Sequence, residues 1–248
     1  MSVKSCIFCG REYEAGIGYE FLQKPCCEGC KPIWDRQVEK RQAELVIQEV
    51  EQDENFELEQ LGIRPRHYDS TFENFNPRDE YEAQTLEICK KMAQERRDIL
   101  VLMGNNGTGK THLDSAMAKV GAGKIYKMLE VSMFIRKAFI KNPPYDEEEA
   151  LQKLSRLKFL IIDEVDKIAR SEAELKWLSY IIDERYSRGK GTVLSMNAHP
   201  KRIHTDGTTC PLCFETMMTR DILDRLNEVG TVRYFSGESH RLSLRGKA

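Results

Sequence analysis

The sequence contains no run of about 18 apolar residues, so no stretch of it reads as a membrane-spanning helix. It also has no apolar segment behind Met1-Ser2-Val3-Lys4-Ser5-Cys6, which argues against secretion and for a cytoplasmic setting. No internal repeat is visible, and nothing is low in complexity apart from the acidic patch Asp146–Glu149. Net charge is nearly absent, at −2 over 248 residues, but that figure hides an asymmetry. Residues 1–62 hold 7 Lys/Arg against 13 Asp/Glu, and the remainder holds 31 against 27. The first part is therefore a poor electrostatic match for DNA and a better one for a protein partner; the rest could meet nucleic acid only through local patches. The length suits one large domain, or a medium domain with a small one.

Cysteine is plentiful: 6, 9, 26, 27, 30, 89, 210 and 213, of which six form three C-x-x-C pairs. In a cytosolic chain this spacing favours a metal over disulfides. Cys6-Ile7-Phe8-Cys9 and Cys27-Glu28-Gly29-Cys30 are separated by 17 residues, the spacing of a four-cysteine zinc ribbon. About 30 residues cannot build an adequate apolar core, and Zn²⁺ can substitute for one. Cys26 competes with Cys27 as ligand; the matching C-x-x-C spacing favours Cys27. Cys210-Pro211-Leu212-Cys213, with His199 and His204 upstream, reads either as a second metal knuckle or as an excursion with reduced thiols. Cys89, alone in a helical pattern, reads as a core residue.

Three regions follow: a zinc-binding N-terminal domain over 1–32, a charged helical linker over 33–62, and an α/β domain with a parallel central sheet over 63–248. In the last, strands are expected at Ile99–Met103, Ile125–Met128, Phe159–Ile162, Thr192–Met196 and Thr231–Phe235. Helices are expected at Lys110–Val120, Val131–Lys141, Glu147–Leu157, Glu172–Ser187 and Thr219–Val229, with a break at Pro143-Pro144.

Gly104-Asn105-Asn106-Gly107-Thr108-Gly109-Lys110-Thr111 fits G-x-x-x-x-G-K-[ST] between an apolar strand and a helix. Glycines let the backbone curl around phosphates, and the helix N-terminus adds partial positive charge. Lys110 reaches the β- and γ-phosphates of ATP, and the Thr111 hydroxyl ligates Mg²⁺. Some 50 residues on, the apolar Phe159–Ile162 delivers Asp163 and Glu164 to a strand tip, where ligands sit in open α/β sheets. Asp163 suits Mg²⁺, through water; Glu164 suits the orientation or deprotonation of an attacking water. Asn197, ending another apolar strand, lies either beside the γ-phosphate or in a turn ahead of Pro200. Arg225 either completes a neighbour's ATP site or pairs with Asp221 on its own helix. Arg241 either contacts phosphate in cis or is a solvated terminal charge.

The residues Gly62 to Phe75, Gly109-Lys110-Thr111-His112-Leu113, Asp163-Glu164, Asp224-Arg225-Leu226 and a closing Ser-x-Arg resemble AAA+ replicative helicase loaders of the DnaC/DnaI type, a clade shared with IstB-like transposition ATPases. The resemblance spans roughly residues 62–245. It implies ATPase domains packed side by side, with Arg225 as a finger in trans, Asn197 as sensor 1, Arg241 as a sensor-2-like residue and His112 in the nucleotide-binding stretch. It further implies an N-terminal zinc domain gripping the hexameric replicative helicase of a bacterial or phage system, and ATPase domains that bind single-stranded DNA. Tyr68, Phe72 or Phe75 would pack near the adenine, and Arg136, Lys137 and Lys141 fall where loaders carry family-specific contacts. The alternative is a transposition helper that acts on duplex DNA with a transposase. The acidic first part and the Cys210–Cys213 excursion depart from the family pattern. So does Asp114, where a small apolar residue is usual.

Overall fold

The computed structural model describes residues 2–15, 26–167, 171–200, 210, 213–237 and 239. The chain divides into two compact units, Met1–Phe56 and Glu57–Ala248.

In the first unit, β1 (Ser2–Ser5) and β2 (Glu12–Ala15) form an antiparallel hairpin. Its turn carries Cys6 and Cys9 and closes through Gly10 N–H to the Cys6 carbonyl, 2.9 Å, with Gly10 at φ 71°. A 3₁₀ turn at Glu28–Cys30 presents the second cysteine pair, and α1 (Lys31–Gln60) follows. The unit boundary falls within α1. No apolar stripe runs along this helix sequence, which is what a charged, solvent-facing helix requires.

The second unit contains α2 (Glu80–Glu95), β3 (Ile99–Gly104), α3 (Lys110–Gly121), β4 (Lys124–Lys127) and α4 (Met128–Arg136). After these come α5 (Glu147–Arg156), β5 (Leu160–Asp163), α6 (Glu172–Ser187), β6 (Thr192–Met196), α7 (Phe214–Met217), α8 (Arg220–Val229) and β7 (Gly230–Phe235). The five strands β3–β7 make a parallel sheet in the order β4-β5-β6-β3-β7. Strands buried on both faces read as continuous apolar runs. Along β3, Ile99, Val101 and Met103 enter one core and Leu100 and Leu102 the other. The first core packs against α4, α5, α6 and α8 through Val131, Leu154, Leu178 and Ile222. The second packs against α2 and α3 through Cys89, Met92, Leu113 and Met117. Cys89 is thus a fully buried core residue, as expected.

One difference from the expected elements has a plain cause. The helix expected over 131–141 starts at Met128 and ends at Arg136, passing into a 3₁₀ turn at Lys137–Phe139. Its start is hidden in sequence because Lys127 is the N-cap: the Glu130 carboxylate accepts from the Lys127 N–H, 2.9 Å, in place of a Ser or Asp cap. The C-terminal end of α5 is held from across the fold by Arg185. This fully buried guanidinium donates to the carbonyls of Leu157 at 2.7 Å and Ser155 at 3.1 Å, and to Thr192 Oγ1 at 2.8 Å. Burial pulls its pKa down to about 10.

Candidate nucleotide site and cysteine clusters

The strand order decides which side chains meet. With β6 between β3 and β5, the C-terminal ends of the three strands place Gly104, Asn197 and Asp163 side by side. Between β3 and α3 the chain turns through Gly107 at φ 83° and Gly109 at φ 96°, conformations that L side chains resist. A Cβ at Gly109 would also meet the Phe75 ring at 2.7 Å, so this glycine is required twice over.

Lys110 is buried in the loop. Its Nζ donates to the carbonyls of Gly104 at 2.8 Å and Asn105 at 2.9 Å, and to Asn197 Oδ1 at 3.2 Å. The Thr111 hydroxyl donates to Asp163 Oδ2 at 3.0 Å, and the Glu164 N–H to Asp163 Oδ1 at 2.7 Å. Burial raises the Asp163 pKa, and these two hydrogen bonds and Lys110 oppose the rise. A hydroxyl beside a carboxylate is a hard-oxygen donor pair of the kind Mg²⁺ takes. Glu164 sits at φ 55°, a conformation costly for a non-glycine residue and frequent at functional sites. Its carboxylate accepts from Lys127 Nζ at 2.8 Å. Lys127, at the tip of β4, had no signal in the sequence; only the pairing of β4 with β5 puts it next to Glu164. Asp166 was missed for the same reason: its Oδ1 accepts the Asn197 N–H at 2.9 Å and sets the end of β6.

A cavity of about 370 Å³ opens over this cluster, lined by Asn106, Gly107, Lys110, Thr111, Asp163, Glu164 and Asn197. Its far wall is Arg66, His67 and Asn74 to Asn76, together with His112. His112 Nε2 lies 2.8 Å from the Thr71 carbonyl, and its ring meets Phe75 edge-on at 5.5 Å. Of the three aromatics expected near the base, Phe75 lines the cavity. Phe72 is buried in the core, and the Tyr68 hydroxyl donates to Glu59 at 2.8 Å. A larger cleft of about 700 Å³, between residues 59–65 and 124–137, contains none of the loop residues.

Asp114 is fully buried beneath the loop, where its Oδ1 accepts from Ser195 Oγ at 2.8 Å. Its Oδ2 has no hydrogen-bond partner. Burial, and then the nearby Asp163, push its pKa well above the usual carboxylate range. Asp114 joins α3 to β6 through this hydrogen bond, which accounts for a polar residue at this position.

Arg225 does not line the cavity of its own chain. On α8 it pairs with Asp183 of α6 at 2.9 Å and lies 4.6 Å from the Tyr186 ring, rather than reaching Asp221. Arg136 pairs with Glu174 at 3.2 Å. Arg241 and His204 lie outside the described residues.

In the first unit the sulfurs of Cys6, Cys9, Cys27 and Cys30 all lie within 4.8 Å of one another, and Cys9 Sγ is 3.7 Å from Cys27 Sγ. Four sulfurs tetrahedral about Zn²⁺ at ~2.3 Å are separated by ~3.8 Å, so the donor set fits that ion. It is Cys27, not Cys26, whose sulfur joins this group. Desolvation raises the Cys6 thiol, yet backbone hydrogen bonds from Cys27, Phe8 and Cys9 bring it down to about 6; the neighbouring Cys9 pushes Cys30 up to about 12. Crowded thiols of this kind cannot all ionise without a cation between them.

The parallel sheet, the glycine loop and the acid pair one strand removed define an AAA+ P-loop ATPase. Residues 51–248 match the family described as IstB-like ATP binding protein, and the chain belongs to that family. It is 26% identical over 196 residues to the replicative helicase loader DnaC of Escherichia coli K12, covering 75% of each chain. It is 27% identical over 156 residues to an ATP-binding protein of insertion sequence IS21 from Pseudomonas aeruginosa, covering 62% of this chain and 56% of that one. Among solved structures, a DnaC helicase loader superposes with a TM-score of 0.55 at 18% identity, over 70% of this chain and 100% of that one. Among the described residues, no helix is long and apolar enough to cross a membrane.

Proposed function

We propose that the protein is an ATP-dependent loader of a hexameric replicative DNA helicase. In this reading residues 1–32 are a Zn²⁺-binding module that grips the helicase, 33–62 a charged helical linker, and 63–248 the ATPase. The observation that carries the nucleotide half is the convergence of Lys110, Thr111, Asp163 and Asn197 on one cavity. Thr111 and Asp163 would hold Mg²⁺, which when bound offsets the charge of the β- and γ-phosphates. Asn105 to Gly109 offer backbone N–H groups to the phosphates, and Lys110 turns from the loop carbonyls to the γ-phosphate. His112 fixes the loop to the 71–75 segment that closes the base side. Glu164 orients the attacking water, Asn197 contacts it or the γ-phosphate, and Lys127 withdraws Glu164 into an ion pair until nucleotide is seated. Arg225, outside its own site, serves a neighbour's, so hydrolysis depends on assembly; Arg241 contacts phosphate in cis.

ATP binding would favour the assembled state on single-stranded DNA, and hydrolysis would release it. Sequence likeness to the DnaC loaders over 75% of the chain supports this reading, as does an acidic, metal-fitted first unit suited to a protein partner. Membership of the IstB-like family and likeness to the IS21 protein support the second reading, a transposition helper on duplex DNA with a transposase. The test of the shared mechanism is a mixing experiment. Arg225→Ala and Glu164→Gln, each inactive alone, should regain hydrolysis when mixed, because one supplies the finger and the other the water-orienting acid. No regain at any ratio would remove the trans role of Arg225.

A further inference from the structure

The chain holds a second cluster of soft donors, distant in sequence from the first. His199 lies two residues beyond Asn197 and just past the end of β6. Cys210 and Cys213 lead into α7. The ligand atoms of all three lie within 4.8 Å of one another, and both cysteines are buried. Cys210 Sγ is 3.5 Å from His199 Nε2. A nitrogen and a sulfur bound to the same tetrahedral Zn²⁺ stand ~3.6 Å apart, from bond lengths of ~2.05 and ~2.3 Å.

Three further features belong to a metal site rather than to an accident of packing. The Cys213 N–H donates to the Cys210 carbonyl at 3.2 Å, the same turn that the Cys30 N–H makes to the Cys27 carbonyl at 3.0 Å in the first cluster. His199 Nδ1 is 2.8 Å from the Pro200 carbonyl. That partner takes the Nδ1 proton and leaves the Nε2 lone pair for a metal, the outer-shell arrangement that metal-bound imidazoles carry. The backbone of His199 is also tied to the cysteine segment: its carbonyl accepts the Phe214 N–H at 3.1 Å, and the two segments form a β-bridge at His199 and Cys213. The three donors are therefore held in register by main chain, not only by side-chain rotamers.

We propose that His199, Cys210 and Cys213 bind a Zn²⁺ ion, with a fourth ligand from outside this trio. Two thiolates and an imidazole select zinc over the hard cation of the nucleotide site. The ion fastens the end of β6, which carries Asn197, to the segment that leads through α7 into α8 and Arg225. Its place in the fold makes it a clamp on the geometry between the nucleotide cavity and the α8 face.

The test is metal content of the full chain by inductively coupled plasma mass spectrometry. Wild type should hold two zinc equivalents. Cys210→Ser/Cys213→Ser should lose one, and Cys6→Ser/Cys9→Ser should lose the other independently. Wild-type zinc content in the Cys210→Ser/Cys213→Ser protein overturns the proposal. A single wild-type equivalent lost with Cys210 and Cys213 leaves this site standing and removes the N-terminal one; the converse removes this site. Should Cys210→Ser/Cys213→Ser fold poorly, X-ray absorption on the zinc kept by Cys6→Ser/Cys9→Ser decides, since that lesion lies in the other compact unit. Two sulfurs and an imidazole nitrogen are expected. No retained zinc, a sulfur-free shell, or a Cys210–Cys213 disulfide in the purified protein would contradict the site.

Discussion

The two units reach a fixed structure by different means. The ATPase unit buries a parallel sheet between two apolar layers, and its functional residues stand at strand ends that those layers cannot let move. Among the described residues of the first unit, the only apolar side chains classed as buried are Cys6 and Cys26. Four sulfurs cluster there, and a metal between them would stand in for a core. One unit is held by a large area removed from water; the other, in the proposed reading, would be held by a few strong bonds to a single ion. On that reading the first should tolerate loss of its ligand, and the second should not.

The largest contrast should come from Lys110→Ala. Losing the ammonium should weaken ATP binding by at least ~100-fold, corresponding to about 3 kcal/mol for a charge-assisted contact, while the sheet stays folded. Calorimetric titration with Mg·ATP and a circular dichroism melt would check both halves; normal binding would refute the phosphate-loop assignment.

Zinc removal should do the reverse. A chelator should expose residues 1–30 to rapid proteolysis and leave the Kd for Mg·ATP unchanged. Digestion that is equally slow with and without metal would mean that the hairpin and the 3₁₀ turn hold without an ion.

Asp114→Asn sharpens the account of the ATPase core. The folded-state pKa of Asp114 is raised, so its protonated form contributes stability that is full below the unfolded value of 3.8 and is lost as pH rises through the folded pKa. Asparagine keeps an acceptor for Ser195 and removes the ionisation. The amide nitrogen that replaces the second oxygen stays unpaired, so the variant differs in the lost ionisation alone, and its stability should fall less steeply above pH 4 than that of the wild type. Urea titrations at pH 4.5 and 7.5 measure this; an equally steep fall in the variant would mean that Asp114 is not the source of the pH dependence.

Arg225→Ala should have the smallest effect on the isolated chain. The pair with Asp183 is half-exposed, so its loss should cost under about 1 kcal/mol and leave ATP affinity intact, while assembly-dependent hydrolysis disappears. A large drop in melting temperature would assign Arg225 to the fold.

The ATP half was legible in the sequence because its residue types are dictated by phosphate chemistry and adjacent in the chain. Gly104 to Thr111 and the Asp163-Glu164 pair sit on the elements expected of them. What could not be read was adjacency. Lys127 meets Glu164, and Asp166 meets the Asn197 backbone, only because of the strand order. Asp114 looked anomalous along the chain, and its partner Ser195 is 81 residues away. Arg225 had two readings on spacing alone, and the partner in this chain, Asp183, was neither, because helix-to-helix packing lies outside local periodicity. In the first unit the meeting of Cys6, Cys9, Cys27 and Cys30 was legible from their spacing alone.

The most direct measurement is capture of purified hexameric replicative helicase by the full chain, with zinc intact or chelated, and with the Kd for Mg·ATP followed in the same samples. The account predicts that chelation abolishes capture and leaves ATP affinity unchanged. Capture that survives chelation, or that fails with zinc intact while ATP still binds, would contradict a zinc-held grip on the helicase.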